Sequence, residues 1–145
     1  MVTKKINSDN FLRLIIKKGV TTWNEWFLSN PGAWVENLSW ETEKPPYPLI
    51  DIDLSNGNFD GMNLNGIILN GACLMNASFR NASLRNAGLK CVEATGANFG
   101  GADLTGADLT FTIVHDANFS NALLKNSTIN LAIANEWTKF LEAIT

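Results

Sequence analysis

From Leu54 onward a bulky apolar residue returns every five positions: Leu54, Phe59, Leu64, Leu69, Leu74, Phe79, Leu84, Leu89, Ala94, Phe99, Leu104, Leu109, Val114, Phe119, Leu124 and Ile129. Thirteen of these sixteen centres are Leu or Phe, so the rhythm is chemical as well as numerical. Two residues before a centre the side chain is small, usually Ala as in Ala72, Ala77, Ala97, Ala102 and Ala107. Two residues after it, twelve of the sixteen positions are Asn or Gly. A period of five is neither the 3.6 of a helix nor the 2 of a strand, so each unit must join a short extended piece to a turn. In the extended piece the centre and the residue two before it point the same way, inward. Asn and Gly fall where the chain bends, because they tolerate positive φ. The residues between, such as Arg80, Arg85, Asp103, Thr105, Asp108 and Thr110, are expected to face water.

A longer period lies inside the first. Phe59, Phe79, Phe99 and Phe119 are spaced by twenty residues, or four units. If four units close one square coil, these rings stack on one inner wall and Leu64, Leu84, Leu104 and Leu124 on the next. With coils about 4.8 Å apart, four of them make a tower roughly 20 Å tall. The larger Val92 and smaller Ala94 share a unit, an exchange of sizes that conserves inward volume.

The run Ala97-Asn98-Phe99-Gly100-Gly101-Ala102-Asp103-Leu104-Thr105-Gly106-Ala107-Asp108-Leu109 resembles the motif of the pentapeptide-repeat proteins, Ala-(Asp/Asn)-Leu-x-x, and the likeness runs from residue 50 to 131. The resemblance implies an all-β solenoid, a four-sided right-handed β-helix of about four coils; the handedness comes from the family and not from the spacing. The stretch from Lys17 to Trp26 resembles the leader that precedes the repeats in many cyanobacterial members.

A solenoid exposes an apolar face and unpaired backbone at each end, so caps are expected there. Residues 1–49 read as an N-terminal helical cap and connector, 50–133 as the β-helix and 134–145 as a C-terminal capping helix. At the N-terminus Phe11, Leu14 and Ile15 share a helical face ahead of Gly19, and Thr22-x-x-Glu25 reads as a capping box opening a second helix. Four of the five Trp lie between Trp23 and Trp40, a cluster expected to cover the top of the tower. At the other end Asn135 can cap a helix over 136–144, with Trp137, Phe140, Leu141 and Ile144 as an i, i+3, i+4, i+7 stripe.

Composition narrows the function more than it names it. The chain has 145 residues, 46% hydrophobic and 17% charged, enough for one domain. Its net charge of -3 announces neither a nucleic acid nor a membrane surface as partner. No apolar run approaches the roughly 18 residues of a membrane span, and the two Cys make no disulfide framework, so a cytoplasmic, reduced protein is expected. A core filled by Leu, Phe and Ala leaves no room for a small-molecule site, and no cofactor or metal is expected. The single His115 has Asp116 beside it but no second His or spaced Cys, and reads as surface decoration. Cys73 and Cys91 are eighteen apart where stacking needs twenty, and read as unlinked thiols. Arg80, Arg85 and Lys90 take the same outward position on successive sides, a belt rather than a patch. No catalytic triad or phosphate loop emerges, so the chain reads as no enzyme.

Two functional readings remain. The first is a non-catalytic scaffold or protein-protein interaction module, monomeric or homodimeric. The second, implied by the resemblance, is a DNA mimic binding a type II topoisomerase. Duplex DNA carries one negative charge per about 1.7 Å, whereas residues 51 to 131 hold seven acids against four bases. That density falls well short. One outward feature breaks the repeat's own rules: Phe111 and Leu131 replace Asn or Gly at turn positions twenty apart, with Ile113 and Ile133 beside them. These four form a candidate interaction patch, covered either by the C-terminal helix or by another chain.

Overall fold

The computed structural model describes residues 52–144 together with Thr21, Glu25 and Ser29. The chain winds into coils of twenty residues, each held to the next by parallel bridges. On the first side Asp53 bridges Cys73, Cys73 bridges Glu93, Glu93 bridges Ile113 and Ile113 bridges Ile133. On the second side the series is Asn58, Ser78, Asn98, Asn118, Lys139, and on the third Asn63, Ser83, Asp103, Leu123, Ile144. On the fourth, Ile68 bridges Gly88 and Gly88 bridges Asp108. We number the coils 52–71, 72–91, 92–111, 112–131 and the partial fifth, 132–144.

Each corner follows from the same local chemistry. The N–H three residues beyond a centre donates to that centre's carbonyl, as from Ala77 to Leu74 at 3.0 Å and from Ala102 to Phe99 at 2.9 Å. All fifteen turn positions from Asn56 to Asn126 have positive φ, as the third residue of a type II turn requires. Gly101, at φ +68, could not be replaced freely, because a Cβ there would come within 2.3 Å of Asn81 Oδ1 in the coil above.

Inside, the centres and small residues are sealed: Leu54, Leu74, Phe99, Leu104 and Leu124 are all at most 2% exposed. Val92 and Ala94 are both buried, so their exchange of sizes does fill the space. The phenylalanines form one stack, with centroid spacings of 4.9 Å for Phe59–Phe79, 5.2 Å for Phe79–Phe99 and 4.9 Å for Phe99–Phe119. These spacings match the rise of a parallel coil.

The ends depart from expectation. The C-terminal helix over 136–144 is not formed. Residues 132–144 instead begin a fifth coil, in which Phe140 adds a fifth ring to the stack at 5.2 Å from Phe119. The reason is the edge left by coil 4. The amides of Val114, Phe119 and Leu124 need acceptors, and the carbonyls of Ile133, Lys139 and Ile144 supply them at 2.9, 2.7 and 2.6 Å. A nine-residue helix is marginal in itself, and could not satisfy those donors. The fifth ring arrives twenty-one residues after the fourth, because one extra residue is taken up between Ile133 and Lys139. At the N-terminus Thr21, Glu25 and Ser29 are helical and exposed, with the Ser29 hydroxyl donating to the Glu25 carbonyl at 2.7 Å. Thr21 is thus already helical one residue before the capping box expected at Thr22. The rest of the expected N-terminal cap, including the Trp cluster, lies outside the described residues.

Candidate interaction surface

The polar decoration of the tower does structural work. Asp or Asn just before a centre accepts from the N–H just after it: Thr105 N–H donates to Asp103 Oδ1 at 3.0 Å, Gly100 to Asn98 at 3.0 Å, Ser120 to Asn118 at 3.0 Å. In coil 2 that position holds Ser78, Ser83 and Gly88, and the acceptor comes from the coil above: Arg80 N–H donates to Asp60 Oδ1 at 2.8 Å, Arg85 to Asn65 at 2.9 Å and Lys90 to Asn70 at 3.0 Å. The carboxylates and turn hydroxyls expected simply to face water are thus part of the ladder.

The same network absorbs most of the chemistry the sequence singles out. Arg85 pairs with Asp103 and Lys90 with Asp108, both at 3.1 Å, so two members of the basic belt are tied down. Hydrogen bonds from the Thr110 hydroxyl hold the Asp108 carboxyl below the usual carboxylate range, against its partial desolvation; the Thr110 N–H, Lys90 and Thr128 add to the effect. Partial burial pushes Asp103 up, but the Thr105 hydroxyl and N–H with Arg85 bring it down overall. Asp116 is engaged by Asn135 rather than His115: its N–H donates to Asn135 Oδ1 and its carboxylate accepts from Asn135 Nδ2, both at 3.0 Å. Cys73 is half-buried and Cys91 exposed, both as free thiols.

What the network does not absorb is the apolar corner. Phe111 sits at φ 57, a conformation that bulky side chains rarely adopt, and is 60% exposed. Its N–H donates to the Leu131 carbonyl at 3.2 Å, which sets the two residues one above the other. Ile113 and Ile133 are joined by a parallel bridge, with Ile133 N–H donating to Thr112 O at 2.8 Å. Leu131 and Ile133 are about half exposed, Ile113 less so. The structure therefore brings all four predicted residues together. The helix that was one candidate to cover them is absent, and the segment that would have formed it runs on beneath the second and third sides.

Sequence reasoning missed further apolar exposure beneath the second and third sides. Trp137, Leu141 and Ile144, assigned to the buried stripe of a helix, are exposed on the fifth coil, and Phe140 keeps only part of its ring covered. The first side thus changes character along the tower, from Asp53, Cys73 and Glu93 in the upper coils to Ile113 and Ile133 in the lower. Among the described residues no cluster of three or more His, Cys, Asp and Glu could hold a metal ion, and no helix is long and apolar enough to cross a membrane.

Comparison with known proteins places this geometry. The family model for pentapeptide repeats matches residues 49–86 and 89–126, more than half of the chain. Among solved structures, a pentapeptide-repeat protein, Rfr23, from the cyanobacterium Cyanothece 51142 is 26% identical, covering 71% of this chain and 70% of its own with a TM-score of 0.65. The pentapeptide-repeat protein alr5209 from Nostoc Pcc 7120 is 23% identical over 60% of this chain and 83% of its own, TM-score 0.52. QnrB1, a plasmid-mediated fluoroquinolone resistance protein, is 14% identical over 68% of this chain and 51% of its own, TM-score 0.61. The last two share the fold, a right-handed quadrilateral β-helix. No curated protein matches the chain.

Proposed function

This chain belongs to the pentapeptide-repeat family, and on that premise we propose that it is a cytoplasmic, non-catalytic scaffold whose apolar corner, Phe111, Ile113, Leu131 and Ile133, docks another protein. The observation that carries this reading is Phe111. The turn rule of its own repeat asks for Asn or Gly, the backbone is left-handed there, and the ring is still turned to solvent. Strain of that kind persists where function repays it. Large apolar groups gathered at one exposed corner are the usual mark of a contact surface. Free thiols at Cys73 and Cys91 fit a reducing compartment.

The reading as a topoisomerase-binding DNA mimic finds less support. Asp103 and Asp108 are paired with Arg85 and Lys90, which removes two of the few carboxylates that could imitate phosphates.

The test is affinity capture from the native cytosol with wild type and Phe111→Asp in parallel, alongside sedimentation of both. A protein held by wild type and lost by a folded Phe111→Asp supports docking at the corner. Loss of a wild-type dimer would identify the docked protein as a second copy. Identical captures and identical sizes would remove the corner from function.

A further inference from the structure

The fifth coil is bridged to coil 4 like the coils above it, but the chain enters it through an irregular joint on the fourth side of coil 4. On the fourth side no bridge joins Asp108 to the coil below. The N–H of Leu109, which by the pattern of Leu69 and Leu89 should reach a main-chain carbonyl, donates instead to the Thr128 hydroxyl at 3.0 Å. That hydroxyl in turn donates to Asp108 Oδ1 at 2.9 Å. The chain then makes a 3-10 turn over Ile129–Leu131 before resuming the coil. The Thr128 N–H still donates to the Ala107 carbonyl at 3.1 Å, but the return bond of this side runs through a side chain instead of the main chain.

Beyond this joint the inward side carries little bulk, and several large apolar side chains face out. The inward positions carry Ala132, Ala134, Thr138 and Ala143, and the only large inward group is Phe140, 40% exposed where Phe119 is 0%. The outward positions carry Ile133, Trp137, Leu141 and Ile144. No side chain of the segment is itself buried, so its departure uncovers only the lower face of coil 4 at Val114, Phe119 and Leu124 and leaves the stack from Phe59 to Phe119 in place. Segments with few buried apolar contacts are the ones that open locally below the global unfolding limit.

We propose that residues 132–144 form a lid that opens as one unit about Thr128–Leu131, and that the corner surface is whole only while the lid is shut. The second clause rests on the docking role argued above. Phe111 and Ile113 belong to the fixed coils, Leu131 lies in the joint and Ile133 on the lid. Opening separates Ile133 from Ile113, so a protein seated across both holds the lid closed, and lid opening releases it. The coupling is reciprocal, as any linkage between two equilibria must be.

Residue-resolved hydrogen exchange on the full chain, with no partner present, tests the lid itself. The amides of Ile133, Lys139 and Ile144 donate from the lid, and those of Val114, Phe119 and Leu124 donate to it. These six should share one opening equilibrium, with protection at least a hundredfold below that of Phe79 and Leu84. Thr128→Val should lower their protection by a common factor and leave coil 2 unchanged. Protection that rises steadily from Ile144 inward, or equals that of coil 2, overturns the proposal. Because no partner is needed, this result is independent of the capture experiment.

Discussion

Phe111 shows how a single residue can work against the fold that carries it. A left-handed conformation costs an L residue with a bulky side chain roughly 1–2 kcal/mol, and Asn, which occupies six other turn positions at φ between 55 and 60, bears it best apart from Gly. Phe111→Asn should therefore stabilise the isolated protein, by about 1 kcal/mol, as measured by chemical denaturation. The same change removes the largest exposed group of the corner and should abolish capture of the docked protein. Stability gained together with binding lost is the pattern expected of a residue retained for contact. A destabilised Phe111→Asn would mean that the ring contributes packing that outweighs its backbone strain.

At the scale of one element, the five-residue unit, the decisive bonds run from the side chain before the centre to the N–H after it. They make the fold sensitive to acid. Asp53 is held below the usual carboxylate range chiefly by the Ser55 hydroxyl and N–H, and Asp103 and Asp108 lie below it as well. A group whose native pKa is depressed stabilises fully above its unfolded value, about 3.9 for Asp, and loses that contribution as pH falls through the native value. Denaturation followed downward from neutral pH should show stability falling steadily below about pH 4. In Asp108→Asn that decline should be shallower, because the side chain still accepts from Thr110 and no longer titrates. An equally steep decline in the variant would assign the acid sensitivity to other groups. This layer of bonding was only half legible in the sequence. The Asn and Asp before each centre were visible as a motif, but their partners in coil 2 come from residues twenty positions earlier, which no local pattern reveals. The corner patch was legible because Phe111 and Leu131 break a turn rule that twelve other positions obey. The fifth coil was not. Trp137, Phe140, Leu141 and Ile144 fit a helical stripe, and the extra residue between Ile133 and Lys139 pushes Phe140 one place out of the twenty-residue series. The donors left open on coil 4 decide the outcome, and they are a property of the tower rather than of the segment.

For the whole molecule, stability is close to a sum over coils and the contacts between neighbours. The bridges give that sum an unusual property, since almost all of them join residues twenty apart and the corners from Asn56 to Asn126 are built alike. The tower therefore has a phase. Removing residues 77–96 takes out one whole period, joins Asn76 to Ala97 and leaves every ring below another ring. Removing only 77–81 joins Asn76 to Ala82 with each five-residue unit still perfect, yet it advances everything downstream by a quarter turn. Leu84 then lies beneath Phe59, and Phe99 is carried round to the side of Leu74. The smaller deletion should be the more damaging one. Its thermal midpoint should fall below that of the twenty-residue deletion, because mismatched rings and aliphatic side chains leave gaps that a close-packed core cannot absorb. Lengths of this chain that differ by whole periods are interchangeable, and those that differ by a fraction of one are not.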